Sequence, residues 1–320
     1  MKPFESFLAS ELEKFIDWRE NMGLKNRNFR SFLRHFDHYV MASKAGWNDF
    51  TPEFFLKFQR NVPGQNRTVN IKLSAVQGFF NYLVRQEVVD DNPLQDIPAR
   101  QEFRFVPFIF SPAEVNKLLQ SSQQMIRKKE NRFFRDYTVA TAFMLLARCG
   151  LRISEPLKLA GHSYRAAEGS IYIRKTKFHK DRLIPLPITV VRELDNYLAV
   201  RKRFSDQENP WLFPGIFKDK GLTTHYIYPL FYQLLNDIGI SRKKRIIGTT
   251  IFGAPTVHSL RHSFAVNTLK QTTNPQNALP VLSAYMGHRK YTYTALYLKM
   301  TNAEQRNNLV DFNLSHCEGS

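Results

Sequence analysis

The sequence predicts a mainly α-helical protein with a small β-sheet, divided into two domains. Apolar residues recur at helical spacing through about the first 100 residues. Prolines then interrupt every periodicity between residues 92 and 107, and a stretch beyond residue 170 switches to short β-prone runs. The chain has 320 residues, 43% of them hydrophobic and 27 of them Phe, enough to bury a core in each domain and unlike a disordered composition.

The first helix follows from Leu8, Leu12, Phe15 and Ile16 on one face, with Gly23 as its stop. Phe29, Phe32, Leu33, Phe36, Tyr39 and Val40 form a second stripe. Thr51-Pro52 starts a third helix, Thr as the cap and Pro at the first helical position. A fourth runs from about Arg67, with Ile71, Val76, Phe79, Phe80, Leu83 and Val84 at helical spacing. These four make a helical bundle over residues 1–92. Asn92-Pro93, Pro98 and Pro107 mark a connection over 93–107, leaving a second domain over 108–301 and a polar tail over 302–320. The second domain opens on the capping box Ser111-Pro112-Ala113-Glu114, followed by a long apolar helix from about Phe133 to Cys149 and a short helix after Gly150. Residues 170–174 and 182–186 read as a β-hairpin around a basic turn. Helical pattern then resumes at Thr189 and continues, with loops, to about Thr301.

The formal net charge is +18, from 46 Lys and Arg against 28 Asp and Glu, which favours a polyanionic partner, nucleic acid before an anionic membrane. The two cysteines, Cys149 and Cys317, make no disulfide framework and fit a reducing compartment. With no signal-peptide core at Met1 and no apolar run long enough to span a bilayer, the expectation is a cytoplasmic, nucleoid-associated protein without a membrane partner.

The chemistry lies in the second domain. Arg152 and Glu155 are three apart and share a face if their segment is helical, where a guanidinium fork can hold two phosphate oxygens and Glu155 can orient it. The plain alternative is a surface ion pair. His258 and Arg261 repeat the spacing, and His262 adds a second imidazole one turn from His258. A His258–His262 zinc pair is the other reading, but Ser259 stands where a metalloprotease would carry its glutamate, so no metal is expected. The hairpin turn gathers Arg174, Lys175, Lys177, His179, Lys180 and Arg182, and a flexible ammonium there can protonate a leaving oxygen or hold DNA phosphates. Arg242, Lys243, Lys244 and Arg245 form a second basic run, a DNA-backbone contact or a solvated loop. Near the end stand His288 and several tyrosines, Tyr285, Tyr291, Tyr293 and Tyr297; a phenol needs neighbouring cations to attack phosphorus near neutral pH.

Taken in order, these groups resemble the tyrosine recombinase (phage integrase) family over nearly the whole chain. The resemblance implies that Arg152 and Glu155 form its first box, Lys177 its hairpin lysine, His258 and Arg261 its second box, His288 its last imidazole and Tyr297, nine residues on, the nucleophile. Its spacing favours Lys177 over Lys175 as general acid, because members carry that lysine three residues before a Lys-x-Arg, here Lys180-Asp181-Arg182. It further implies a helical core-binding domain clamped with a mixed α/β catalytic domain on double-stranded DNA target sites. The implied activity is site-specific strand exchange through a 3′-phosphotyrosyl link, without cofactor. The implied assembly is a tetramer on DNA, with the tail a candidate to pack on a neighbour and accessory DNA-bending or sister recombinase proteins as further partners. Two other functions fit the same residues: a type IB topoisomerase-like relaxing enzyme, and a non-catalytic DNA-binding protein on the same scaffold. The turn Thr176-Lys177-Phe178-His179 departs from the family's glycine-bearing form.

Overall fold

A computed structural model describes residues 2–24, 27–174, 181–204, 209–217, 219–288 and 290–298. The fold is mainly helical, and the chain divides into two compact units, Met1–Arg104 and Phe105–Ser320.

The first unit contains α1 (Ala9–Asn21), α2 (Arg27–Ser43), α3 (Pro52–Asn61) and α4 (Asn66–Arg85), with a 3-10 turn at Trp47–Asp49. Leu8, Leu12, Phe15 and Ile16 are all buried, as their common face requires. Thr51 Oγ1 accepts the Phe54 N–H at 3.4 Å, capping α3. The core is built from aromatic rings packed edge to face, among them Phe55 against Phe80 (5.3 Å, 84°) and Phe36 against Phe58 (5.4 Å, 71°). Fully burying one such ring contributes about 1.5–3 kcal/mol. The α4 stripe is offset from the expected one. Ile71 is 44% exposed, and the buried face runs Val69, Leu73, Val76, Phe79, Phe80, Leu83. The proline-broken stretch lies along this unit: Gln59 donates to the Pro98 carbonyl (2.8 Å), Asn70 Oδ1 accepts the Arg100 N–H (2.8 Å), and Leu94 is buried.

The second unit begins at β1 (Arg104–Val106), continues through α5 (Pro112–Gln124) and α6 (Glu130–Cys149), and adds β2 (Tyr164–Arg165), β3 (Ser170–Ile173) and β4 (Arg182–Pro185). Then follow α7 (Ile188–Phe204), α8 (Thr224–Asp237), β5 (Arg245–Ile247), β6 (Thr250–Phe252), α9 (Val257–Gln271), α10 (Pro275–Met286) and α11 (Tyr291–Leu298). The Ser111 capping box forms as the sequence predicts, with Ser111 N–H on Glu114 Oε2 at 2.6 Å and Glu114 N–H on Ser111 Oγ at 3.2 Å. Helix α6 buries Val139, Ala142, Phe143, Leu145, Leu146 and Cys149 among α5, α7, α8 and α9, so it forms the axis of this unit.

Two expectations need correction. The segment after Gly150 is a turn leading into a 3-10 helix (Pro156–Lys158), because Pro156 and the Glu155 side chain, which caps the Arg152 N–H, close a tight turn before a full helical turn can form. The expected single sheet is two three-stranded sheets, β2-β3-β4 and β1-β6-β5. In the second, β5 and β6 were hidden in a stretch read as helix and loop, and β1 in one read as a connection. In the first, β3 and β4 are antiparallel with Ile173 opposite Arg182, which fixes where β4 begins. Among the described residues no helix is long and apolar enough to cross a membrane.

Candidate active site

Two helix ends build the site. Helix α6 ends at Gly150 (φ +57°) and α10 at Gly287 (φ +63°), both left-handed caps that disfavour a side chain. Space is also restricted, since a Cβ at Gly150 would stand 2.4 Å from Phe264 Cδ1. The last carbonyls of a helix lack partners within it and carry the negative end of its dipole, so they attract cations.

Three guanidiniums occupy three successive carbonyls at the end of α10. Arg182 Nε donates to Tyr285 O (2.9 Å), Arg261 Nη2 to Met286 O (2.6 Å) and Arg152 Nη2 to Gly287 O (2.9 Å). Arg261, only 2% exposed, also donates Nη1 to Gly150 O at 2.8 Å, tying the ends of α6 and α10 together. Burial and the neighbouring Arg152 push Arg261 down to about 10, still charged at neutral pH.

Glu155 is 7% exposed and stands among the arginines. Its Oε1 accepts from Arg152 Nη1 (2.8 Å) and Arg182 Nη1 (3.0 Å), and its Oε2 from the Arg152 N–H (2.8 Å) and Arg182 Nη2 (2.8 Å). Burial alone would raise this carboxyl, yet the bonds and charges of Arg182 and Arg152 hold it below the ordinary carboxylate value. Three cations thus face one anion, and the surplus suits a phosphodiester whose charge grows as it reacts.

The imidazoles come from α9 and the turn after α10. The rings of His258 and His262 meet edge to face at 4.6 Å, as residues one helical turn apart do. His262 Nδ1 lies 3.0 Å from the Tyr297 hydroxyl, and His288 Nδ1 lies 2.7 Å from Thr294 Oγ1 on α11. Burial, then neighbouring positive groups, lowers all three: His262 to about 3, His288 to about 4, and His258 in the same direction although its side chain reaches solvent. Tyr297 is 5% exposed and packs with Ile109, Val266, Leu279, Leu282 and Met286. Burial raises its phenol, while Arg261 and Arg152 pull it back part of the way.

The structure therefore gathers Arg152, Glu155, His258, Arg261, His262, His288 and Tyr297 around the two helix ends. Of the other tyrosines, Tyr291 and Tyr293 are exposed, and Tyr285 is hydrogen-bonded to buried Cys149; burial raises both groups, the bond adding to the rise of the phenol and opposing that of the thiol. Arg182, expected among the DNA contacts, has its side chain turned inward, 9% exposed, with its fork on Glu155. A strand-opening arginine with this inward partner carried no signal in residue spacing. Lys175, Lys177, Lys180 and the tail 302–320 lie outside the described residues. Arg242, Lys243, Lys244 and Arg245 are exposed and lead into β5, with the Arg242 guanidinium 5.7 Å from the Phe108 ring centre. Among the described residues, no group of three or more His, Cys, Asp or Glu forms a metal-binding cluster.

Comparison with known proteins gives consistent results. The profile of the "Phage integrase family" matches residues 109–304. The chain is 29% identical over 302 residues to "Putative integrase/recombinase y4rB" of Sinorhizobium fredii (strain NBRC 101917 / NGR234), covering 92% of this chain and 93% of that protein. It is likewise 29% identical to a "Tyrosine recombinase" of Pseudothermotoga lettingae (87% and 94% covered). In fold it is similar to the XerH site-specific recombinase bound to palindromic difH substrate in a post-cleavage complex, with TM-score 0.68, 21% identity and coverage of 95% and 84%.

Proposed function

The chain belongs to the phage integrase family and is a tyrosine recombinase, and we propose that Tyr297 is the nucleophile with which it exchanges DNA strands. The observation that carries this reading is the Tyr297 hydroxyl held on His262 beside guanidiniums that are themselves fixed on helix-end carbonyls. Arg152 and Arg261 bind the scissile phosphate and neutralise charge as phosphorus becomes five-coordinate. The phenol oxygen attacks phosphorus, its proton passing to an imidazole. The bond to the 5′-oxygen breaks, and that oxygen takes a proton from Lys177, with Lys175 the other candidate. The products are a 3′-phosphotyrosyl link and a free 5′-hydroxyl, and the reverse attack by a hydroxyl of another strand restores the tyrosine. Because the energy of the phosphodiester is kept in the covalent link, neither ATP nor a metal ion takes part.

His258 and His288 flank the phosphate, and Glu155 holds Arg152 in place. The helical unit ending at Arg104 supplies the other half of a DNA clamp, and Arg242, Lys243, Lys244 and Arg245 track the backbone. On DNA the protein assembles as a tetramer, with residues 302–320 exchanged onto a neighbour and accessory DNA-bending or sister recombinase proteins alongside. A mobile element whose ends the enzyme joins, as in transposition, is the biological setting that fits.

The test uses a pool of nicked duplexes with randomised core sequence, in which cleavage traps the protein on DNA. The wild-type chain forms a denaturant-resistant adduct and Tyr297→Phe forms none. An adduct on Tyr297→Phe moves the nucleophile elsewhere, and relaxation of plasmid supercoils without any preferred sequence makes the enzyme a topoisomerase instead.

A further inference from the structure

We propose that Arg182 is a positioning residue for strand cleavage, fixing the Arg152 guanidinium and the end of α10 by holding Glu155 and the Tyr285 carbonyl at once. The inference rests on the cleavage site assigned above. Each carboxylate oxygen of Glu155 accepts one hydrogen bond from Arg152 and one from Arg182, at 2.8 to 3.0 Å. Glu155 is therefore a bridge between two arginines. Arg182 adds a third donor, Nε, on Tyr285 O at 2.9 Å, one peptide unit from the carbonyl that anchors Arg261 and two from the one that anchors Arg152. Only a planar fork with a further donor behind it serves both partners, so lysine cannot replace it. The site is shaped around this side chain: a Cβ at Gly287 would stand 2.9 Å from Arg182 Nη1 and 3.2 Å from its Cζ.

A merely stabilising ion pair is the competing account, since a buried pair often adds little net stability. The two accounts diverge in what happens to Glu155. The groups facing it are Arg152 from its own turn, Arg182 from β4, and His258 and Arg261 from α9. Removing Arg182 leaves the carboxyl with burial that raises it and one close arginine instead of two. Its titration then moves to higher pH than in the wild type, and once protonated it lets go of Arg152.

The experiment compares wild type, Arg182→Lys, Arg182→Met and Glu155→Gln/Arg182→Met for affinity and single-turnover adduct formation on the nicked-duplex pool. In Arg182→Met, affinity stays within roughly threefold while the rate drops about 100-fold, the scale of a misplaced catalytic group. Its rate also falls on acidification, with the acid limb at higher pH than in the wild type. Arg182→Lys gives an intermediate rate with the acid limb at lower pH, and the double variant shows no limb because no carboxyl remains to titrate. A wild-type rate in Arg182→Met, or a loss that is equal at every pH, overturns the proposal. Carbon-detected NMR of the Glu155 carboxyl gives a readout independent of cleavage: its titration moves up in both Arg182 variants. An unmoved titration overturns the proposal even if adducts form. A wild type that forms no adduct sinks the cleavage reading alone, and the carboxyl titration then decides the role of Arg182.

Discussion

His262 Nδ1 and the Tyr297 hydroxyl, 35 residues apart in sequence, lie 3.0 Å from each other. With His262 pushed down to about 3, the ring is neutral at physiological pH, so Nδ1 accepts the phenolic hydrogen in the tautomer protonated at Nε2. Replacing His262 with Ala leaves a buried hydroxyl without its acceptor and removes the proton's nearest exit. Adduct formation on the nicked-duplex pool should slow by about 100-fold, the lower end of what a positioned acid or base contributes. An unchanged rate would assign the proton to another group.

Acidification should loosen the catalytic unit. His262 and His288 titrate near 3 and 4 when folded, against an ordinary 6.5 when unfolded. Between those values the unfolded chain binds more protons, so the stability these residues permit is complete above pH 6.5 and declines as pH falls toward 3. Urea midpoints measured across this window should drop less steeply in His262→Gln than in the wild type. Parallel curves would mean the histidines are not held neutral.

Gly150→Ala should be among the costlier single changes. A side chain at φ +57° costs about 1–2 kcal/mol. Forcing Phe264 away from a contact of 2.4 Å adds about 1–3 kcal/mol of overpacking. Adding Phe264→Leu should recover part of the second contribution and none of the first. Chemical denaturation of the single and double variants separates the two.

Affinity for duplex DNA should fall steeply with salt, by about 0.9 log unit per phosphate contact for each decade of concentration. Replacing Lys243 and Lys244 with Ala should flatten that slope by about two contacts' worth without changing sequence preference. A slope unaffected by the change would return these lysines to the role of solvated loop.

The helices of the first unit were legible because their apolar stripes are long and their caps explicit: Leu8, Leu12, Phe15 and Ile16 are buried together, and Thr51 caps α3. Ile71 misled because its neighbours Val69 and Leu73 define an adjacent face equally apolar in sequence. The β5–β6 hairpin escaped because its strands have three residues each and all three in β5 are exposed, which erases alternation. Its one usable clue was Gly248, whose φ of +55° suits the first position of a two-residue hairpin turn. Within the site, the side chains that the structure brings together could be named from residue type and order. The carbonyls of Tyr285, Met286 and Gly287 could not, since every residue has a carbonyl and only the ending of a helix makes these three available. The Arg182–Glu155 pairing was hidden for a different reason: the two residues lie 27 apart on separate elements, which local spacing does not record.

The run of arginines along the last peptide units of α10 has a mechanical consequence. Suspended from consecutive links of a single strand of backbone, the three charged heads share one support and cannot drift independently. A small unwinding there would disperse the positive field in one stroke, and rewinding would restore it. The positive cluster is thereby geared to the shape of a few atoms of main chain.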